Sequence, residues 1–147
     1  MINPGNIFDG TYESDSIANI NSIEDLVYFS DLVNQGKNFS GKTVNLNFDL
    51  DFNNKKSYAN KDNYQNLKTS LTTGVGFKPI GNAINAFSGD FEGNGHIIYN
   101  LYINRPTEDN VAFFGTVAAA PNAAFVRGLT LKDVNITGKN NTSILVA

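Results

Sequence analysis

Residues 43–53, TVNLNFDLDFN, alternate without a break between apolar and polar side chains. Val44, Leu46, Phe48, Leu50 and Phe52 fall on one side; Asn45, Asn47, Asp49, Asp51 and Asn53 fall on the other. Period two is the mark of a strand with one buried face, so the pattern predicts a strand across 43–53. The preceding segment has the other period. Ile23, Leu26, Val27, Phe29, Leu32 and Val33 form one broad apolar face at helical spacing. Ser22 stands as N-cap with Asp25 three residues on, in the manner of a capping box. Glu24 and Asp25 suit the positive end of the helix dipole, and Gly36 ends the element. These signals predict a helix over 23–35, within a capped unit spanning 22–36. Residues 1–21 read as an extended lead-in with Ile2, Ile7, Phe8 and Tyr12 as anchors.

Residues 53–76 are polar and rich in Asn, Lys, Tyr and Thr, which predicts a long loop. FKPIGN, 77–82, brings the chain back. Beyond residue 86 the apolar positions return in pieces of about five residues separated by turns. FSGDFEGNGHIIYNLYI, 87–103, places Phe87, Phe91, Ile97, Tyr99, Leu101 and Ile103 as inward positions around a Gly93-Asn94-Gly95 corner. NLYI at 100–103 matches GLTL at 128–131, and AFFGTVA at 112–118 foreshadows SILVA at 143–147. The apolar phase slips at Lys132–Asp133, which predicts a corner there.

Short strands, frequent corners and spacings near thirty residues are the signature of a repeat architecture. The fold class expected is therefore all-β: a right-handed parallel β-helix, a solenoid, in a single domain over 1–147 whose windings run from 43 to 147. Such a fold exposes an edge at each end. The amphipathic helix is expected to cap the N-terminal end. Nothing similar follows residue 136, so further windings of the same chain are expected to follow, and the apolar finish SILVA reads as an excised end.

Composition narrows the classes. The chain carries 23 asparagines among 147 residues, and asparagine favours turns and left-handed backbone over helix interiors. A net charge of −3 gives no basic footprint, so nucleic acid is not an expected partner. Cysteine is absent, which removes disulfides and thiolate metal sites. Residues 1–20 lack a basic start and an apolar core, so no signal peptide is read. No apolar run approaches the ~20 residues of a membrane helix.

The order of IEDLVYFSDLVNQGKNFSGKTVNLNFDLDF, FKPIG, FSGDFEGNGHIIYNLYI, VAFFG and VRGLTLKDVNITG resembles the β-helical regions of large bacterial surface proteins with GLUG-type repeats. It is similar to the corresponding part of immunoglobulin-A-specific metallopeptidases and of Clostridium-like cell-wall proteins. The resemblance covers about residues 20–147. Phe77 stands where such sequences often have tryptophan, and the 53–76 loop is longer than theirs. The resemblance implies a secreted or cell-surface module acting as stalk, spacer or adhesin, with a host protein or glycan as partner.

Several groups carry side chains capable of chemistry. Asp90 and Glu92 sit two apart on one strand face, within the span of a glycosidase carboxylate pair, but any polar strand face does the same. The glycines before His96 lack the Lys and Ser/Thr of a phosphate cradle, and His96 has no local partners for a triad. Asp90, Glu92 and His96 are therefore candidate binding residues at a corner. Asp49 and Asp51 open a D-x-D-x-N run, but Asn54 and Asn60 stand where an EF-hand needs glycine and glutamate. A looser calcium site from Asp49 and Asp51 is what remains of that idea; otherwise no cofactor is implied. Tyr58 and Tyr64, among amides, offer rings for a sugar face. Asn38, Asn135, Asn140 and Asn141 begin N-x-S/T sequons, read here as corner asparagines. The expected function is a non-enzymatic surface module. The alternatives are a polysaccharide-acting β-helix enzyme and the non-catalytic front region of a surface peptidase.

Overall fold

The structure, a computed structural model, describes Ile7, residues 14–119, Pro121 and residues 123–147. The expected anchors Ile2, Phe8 and Tyr12 lie outside the described residues. The first element is a strand, β1 (Ile17–Ile20), with Ala18 and Ile20 turned inward. Helix α1 (Ile23–Asn34) follows. Ser22 holds extended backbone and its hydroxyl accepts the Asp25 amide at 3.2 Å, while Asp25 Oδ2 accepts the Asn21 amide at 2.9 Å. The two bonds satisfy donors that a helix start leaves open. Burial of Asp25 raises its carboxyl pKa, against the lowering pull of the Asn21 amide. At the other end Gly36, at φ 108°, lets its own N–H reach Val33 O and the Lys37 N–H reach Leu32 O. This is a Schellman stop, and its left-handed residue is the glycine read from the sequence.

The 43–53 alternation does not make one strand. It breaks into β2 (Thr43–Leu46) and β3 (Leu50–Asp51), with a bend at Asn47–Asp49 between them. Val44, Leu46, Leu50 and Phe52 are buried as the pattern requires, but Phe48 is 56% exposed because it stands on the outside of the bend. Residues 53–76 do not stay a loop. Lys55–Ser57 form a 3₁₀ turn and Tyr64–Thr72 form α2, whose Tyr64, Leu67 and Leu71 lie at i, i+3 and i+7 and meet the core.

The remaining strands are β4 (Asp90–Glu92), β5 (Ile97–Tyr99), β6 (Tyr102–Asn104), β7 (Phe125–Arg127), β8 (Thr130–Lys132) and β9 (Asn135–Thr137). They form three small parallel sheets ordered β1-β2-β4-β7, β3-β5-β8 and β6-β9. Register aligns apolar residues of successive passes: Val44 with Phe91 and Phe91 with Val126, Leu50 with Ile98 and Ile98 with Leu131, Ile103 with Ile136. Ile98, not Ile97 or Tyr99, is the inward residue of β5. The left-handed Asn94, Gly95 and Asn100 each reset the alternation, so inward positions fall at 91, 98, 101 and 103.

The architecture is therefore mixed α/β, and the all-β right-handed β-helix expected from the repeats is corrected. Strands of two to four residues stop at every bend and give separate small sheets rather than a closed solenoid, and two helices take part. The sheet begins one strand earlier than expected, at the edge of β2, and α1 packs against that first strand. β1 pairs with β2 and holds that edge, because the lead-in supplies its own alternating residues. The expected 28-residue match of NLYI to GLTL is also displaced: Ile103 pairs with Ile136 and Ile98 with Leu131. The match of 112–118 to 143–147 agrees with the Phe114–Val146 bridge.

α1 lies over the interior rather than beside it. Phe29 meets Phe39, Phe87 and Phe91 with ring centroids 5.1, 5.5 and 6.0 Å apart. Phe91 continues to Phe113 and Phe114, and Phe113 to Phe77. Pairs of this kind add about 0.5–1.5 kcal/mol each beyond the area they bury. Burial fades toward the last strands: Phe91, Ile98 and Ile103 are fully covered, whereas Val126, Leu131 and Ile136 are half-buried. Ile103→Ala is expected to cost roughly 2–5 kcal/mol and Ile136→Ala less than about half of that. Urea unfolding of the two variants checks the difference, and equal midpoints would contradict the gradient.

Candidate functional site

The Gly93–Gly95 corner joins β4 to β5. Asn94 and Gly95 both hold positive φ, 54° and 78°. Gly93 is needed for a different reason: a Cβ there would stand 2.4 Å from Gly128 O. The corner is pinned from the next pass by Gly93 N–H to Arg127 O and Gly95 N–H to Gly128 O, each at 2.8 Å. The Asn94 amide nitrogen donates to Leu46 O at 3.1 Å and to Asn45 Oδ1 at 3.3 Å on the pass before. The corner thus touches three passes of the chain.

The candidates around it separate. Glu92 accepts from Arg127 Nε at 2.7 Å and from the Asn94 amide at 3.0 Å. The Asn94 amide first and Arg127 second hold the Glu92 carboxyl below its ordinary pKa. His96 turns away from Asp90 and Glu92 and meets Asp49, Nδ1 to Oδ1 at 3.1 Å. The same Asp49 oxygen accepts the Ile97 amide at 2.9 Å, and that amide, followed by His96, lowers the Asp49 pKa. Asp90 shares none of these bonds. It lines a separate shallow cleft of about 370 Å³ with Ser40, Lys42 and Ser88. The structure therefore brings Asp49 and His96 together, and it leaves Asp90 and Glu92 without a common partner.

Asp51 accepts the Asn100 side-chain amide at 2.9 Å and the Asn53 amide at 2.8 Å. Both aspartates of the calcium idea already face N–H donors, which a cation would have to displace. Among the described residues, no group of three His, Cys, Asp or Glu is placed to hold a metal. Tyr58 is buried, its hydroxyl donating to Phe52 O at 2.7 Å and its ring edge-on to Tyr64 at 4.9 Å. That burial pushes the phenol pKa up. A ring 1% exposed cannot stack on a sugar. Tyr64 is half-buried, with its hydroxyl to Asn53 O at 3.2 Å and Lys68 over its ring.

One further cleft was invisible to sequence reasoning. About 290 Å³ in volume, it lies between the end of α1, the turn at 78–83 and the loop at 105–110. Arg105 and Lys78 line it with Glu108, Asp109 and Asn110. Arg105 is only 14% exposed; its Nη1 reaches Glu108 Oε1 at 3.2 Å, and its buried Nε has no hydrogen-bond partner among the described residues. These residues are scattered over 30 positions of sequence or more, and only the folded chain gathers them.

Comparison with known proteins adds one likeness. The chain is 34% identical over 90 residues, 59% of its length, to Halomucin from Haloquadratum walsbyi. The match spans 1% of that protein. The relative is archaeal, whereas the resemblance read from the motifs pointed to bacteria. No family model and no solved structure matches the chain.

The two depressed carboxylates give a pH prediction. A carboxyl whose folded pKa lies below its unfolded value stabilises the fold above the unfolded pKa, near 4, and that stabilisation is lost as pH falls through the folded pKa. Stability should therefore decline from about pH 5 downward, and Asp49→Asn with Glu92→Gln should flatten the decline. Urea midpoints between pH 7 and pH 3 check it; parallel curves for wild type and double variant would contradict the assignment.

Proposed function

We propose that the chain is a non-enzymatic, surface-exposed module of a secreted or cell-surface protein, a spacer or adhesin segment that contacts a host protein or a glycan. One observation carries the reading. Four carboxylates, Glu92 and Asp49 at the corner among them, are committed to links between neighbouring passes of the chain: Glu92 to Arg127, Asp49 to His96, Asp51 to Asn100 and Asp109 to Asn140. Glycoside cleavage needs two carboxyls facing one bond, one of them free to exchange protons. Glu92, the closest sequence neighbour Asp90 has for that task, is instead an acceptor for a guanidinium and an amide. The likeness to a protein named as a mucin supports a place at the cell surface.

The test pairs a binding screen with an activity screen. The purified chain is expected to retain ligands on an array of glycans and matrix proteins and to leave polysaccharides uncut. Release of reducing ends that disappears in Asp90→Asn would sink the reading in favour of an enzyme.

A further inference from the structure

We infer that the cleft between Lys78, Arg105 and Asn110 binds the acidic sugar unit of a polysaccharide, a hexuronic acid, through its carboxylate. The inference rests on the reading of the chain as a binding module and names the ligand class.

The fold leaves part of the bonding capacity around this cleft unused. Asn34, at the rim, is fully engaged: its amide nitrogen donates to Ser30 Oγ and Pro79 O, and its oxygen accepts from Asn82. Asn110 accepts from Asn141 at 2.9 Å, while its own amide nitrogen has no partner among the described residues. Asp109 accepts from Asn140 through Oδ1 and keeps Oδ2 open. Lys78 is exposed, and its ammonium has no hydrogen bond among the described residues. Arg105 bonds Glu108 through a single nitrogen, at 3.2 and 3.4 Å, although a guanidinium is built to grip a carboxylate with two. Its Nε is buried and has no hydrogen-bond partner among the described residues, so contacts to a ligand fall to the terminal nitrogens.

The polar groups left open in the cleft are mostly donors, with one carboxylate oxygen beside them, in a lining that is otherwise largely apolar. Lys78 and Arg105 formally balance Glu108 and Asp109, so nothing favours a multiply charged anion such as a phosphate monoester. A single carboxylate can replace the half-exposed Glu108 on Arg105 and take Lys78 as second contact. Hydroxyls, which both donate and accept, match the Asp109 oxygen and the Asn110 amide. The volume, about 290 Å³, is at the small end of ligand pockets and fits one ring rather than a long chain. Glu108 then acts as the internal stand-in for the ligand, holding Arg105 in position until it is displaced.

The test is an amide-resolved NMR titration of the whole chain with trigalacturonate, with maltotriose and acetate as neutral and bare-carboxylate controls. Saturable shifts are expected at residues 105–110 with trigalacturonate and not with either control. Arg105→Lys should weaken binding about tenfold and Lys78→Ala about threefold, while Glu108→Gln should bind at least as tightly as wild type. Lys78→Ala and Glu108→Gln alter exposed side chains, so they remain informative if the Arg105 variant misfolds. Absence of saturable shifts at millimolar ligand, equal shifts with acetate, or unchanged affinity in Lys78→Ala would overturn the inference and leave the module reading standing. Cleavage of the trisaccharide would overturn the module reading and leave the site standing.

Discussion

Strands of three residues are too short to stand alone; each contributes few backbone bonds and one inward side chain. The structure depends on their lying in parallel register, so that the inward residue of one pass rests on that of the pass before. Val44, Phe91 and Val126 make one such column, and Leu50, Ile98 and Leu131 another. The constraint extends to the bends. Tyr99 pairs with Lys132, so the residues that follow, Asn100 and Asp133, must turn at the same level, and both hold left-handed backbone at φ 62° and 56°. Helix α1 closes the arrangement from above by placing Phe29 among the aromatic rings that fill the interior.

Register also explains the surface. Outward side chains at equivalent bends come within bonding distance of one another, which is why Asn21 meets Asn47, Asp109 meets Asn140 and Asn110 meets Asn141. Asn140 and Asn141, read from sequence as corner asparagines, bridge neighbouring passes, and so do Asp49 and His96, which were weighed there as metal or binding groups. The cleft at Arg105 differs because its guanidinium is held by a residue three positions along its own loop, and part of its bonding capacity is left open.

Much of this was legible in the sequence, and the failures have physical causes. The α1 boundaries follow from local signals, a cap, a period and a glycine, that act within a few residues. The bend at Lys132–Asp133 was visible as a slip of phase. Strand phase elsewhere was not: Phe48 continues the alternation perfectly but lies on a bend, and left-handed asparagines shift the inward face from Ile97 to Ile98 without changing composition. β1 and α2 were missed because a four-residue strand and a nine-residue helix of polar composition carry weak local signal. They gain order from β2 and β6, which lie far along the chain. The Tyr64, Leu67 and Leu71 spacing was the available clue to α2. The site residues divided in the same way. Asp49 and His96 are 47 positions apart, and no spacing rule joins them.

The pinned corner at Asn94–Gly95 bears on chemical ageing. Asparagine followed by glycine is the dipeptide most prone to lose its side-chain amide, because the glycine nitrogen can attack the asparagine side-chain carbon and close a succinimide ring. In the folded chain that nitrogen donates to Gly128 O, and the Asn94 amide is tied to Leu46 O and Asn45. Both reacting groups are withdrawn for as long as neighbouring passes stay together. Deamidation at this one bond therefore proceeds only when the corner opens, which makes it a slow internal clock of local unfolding.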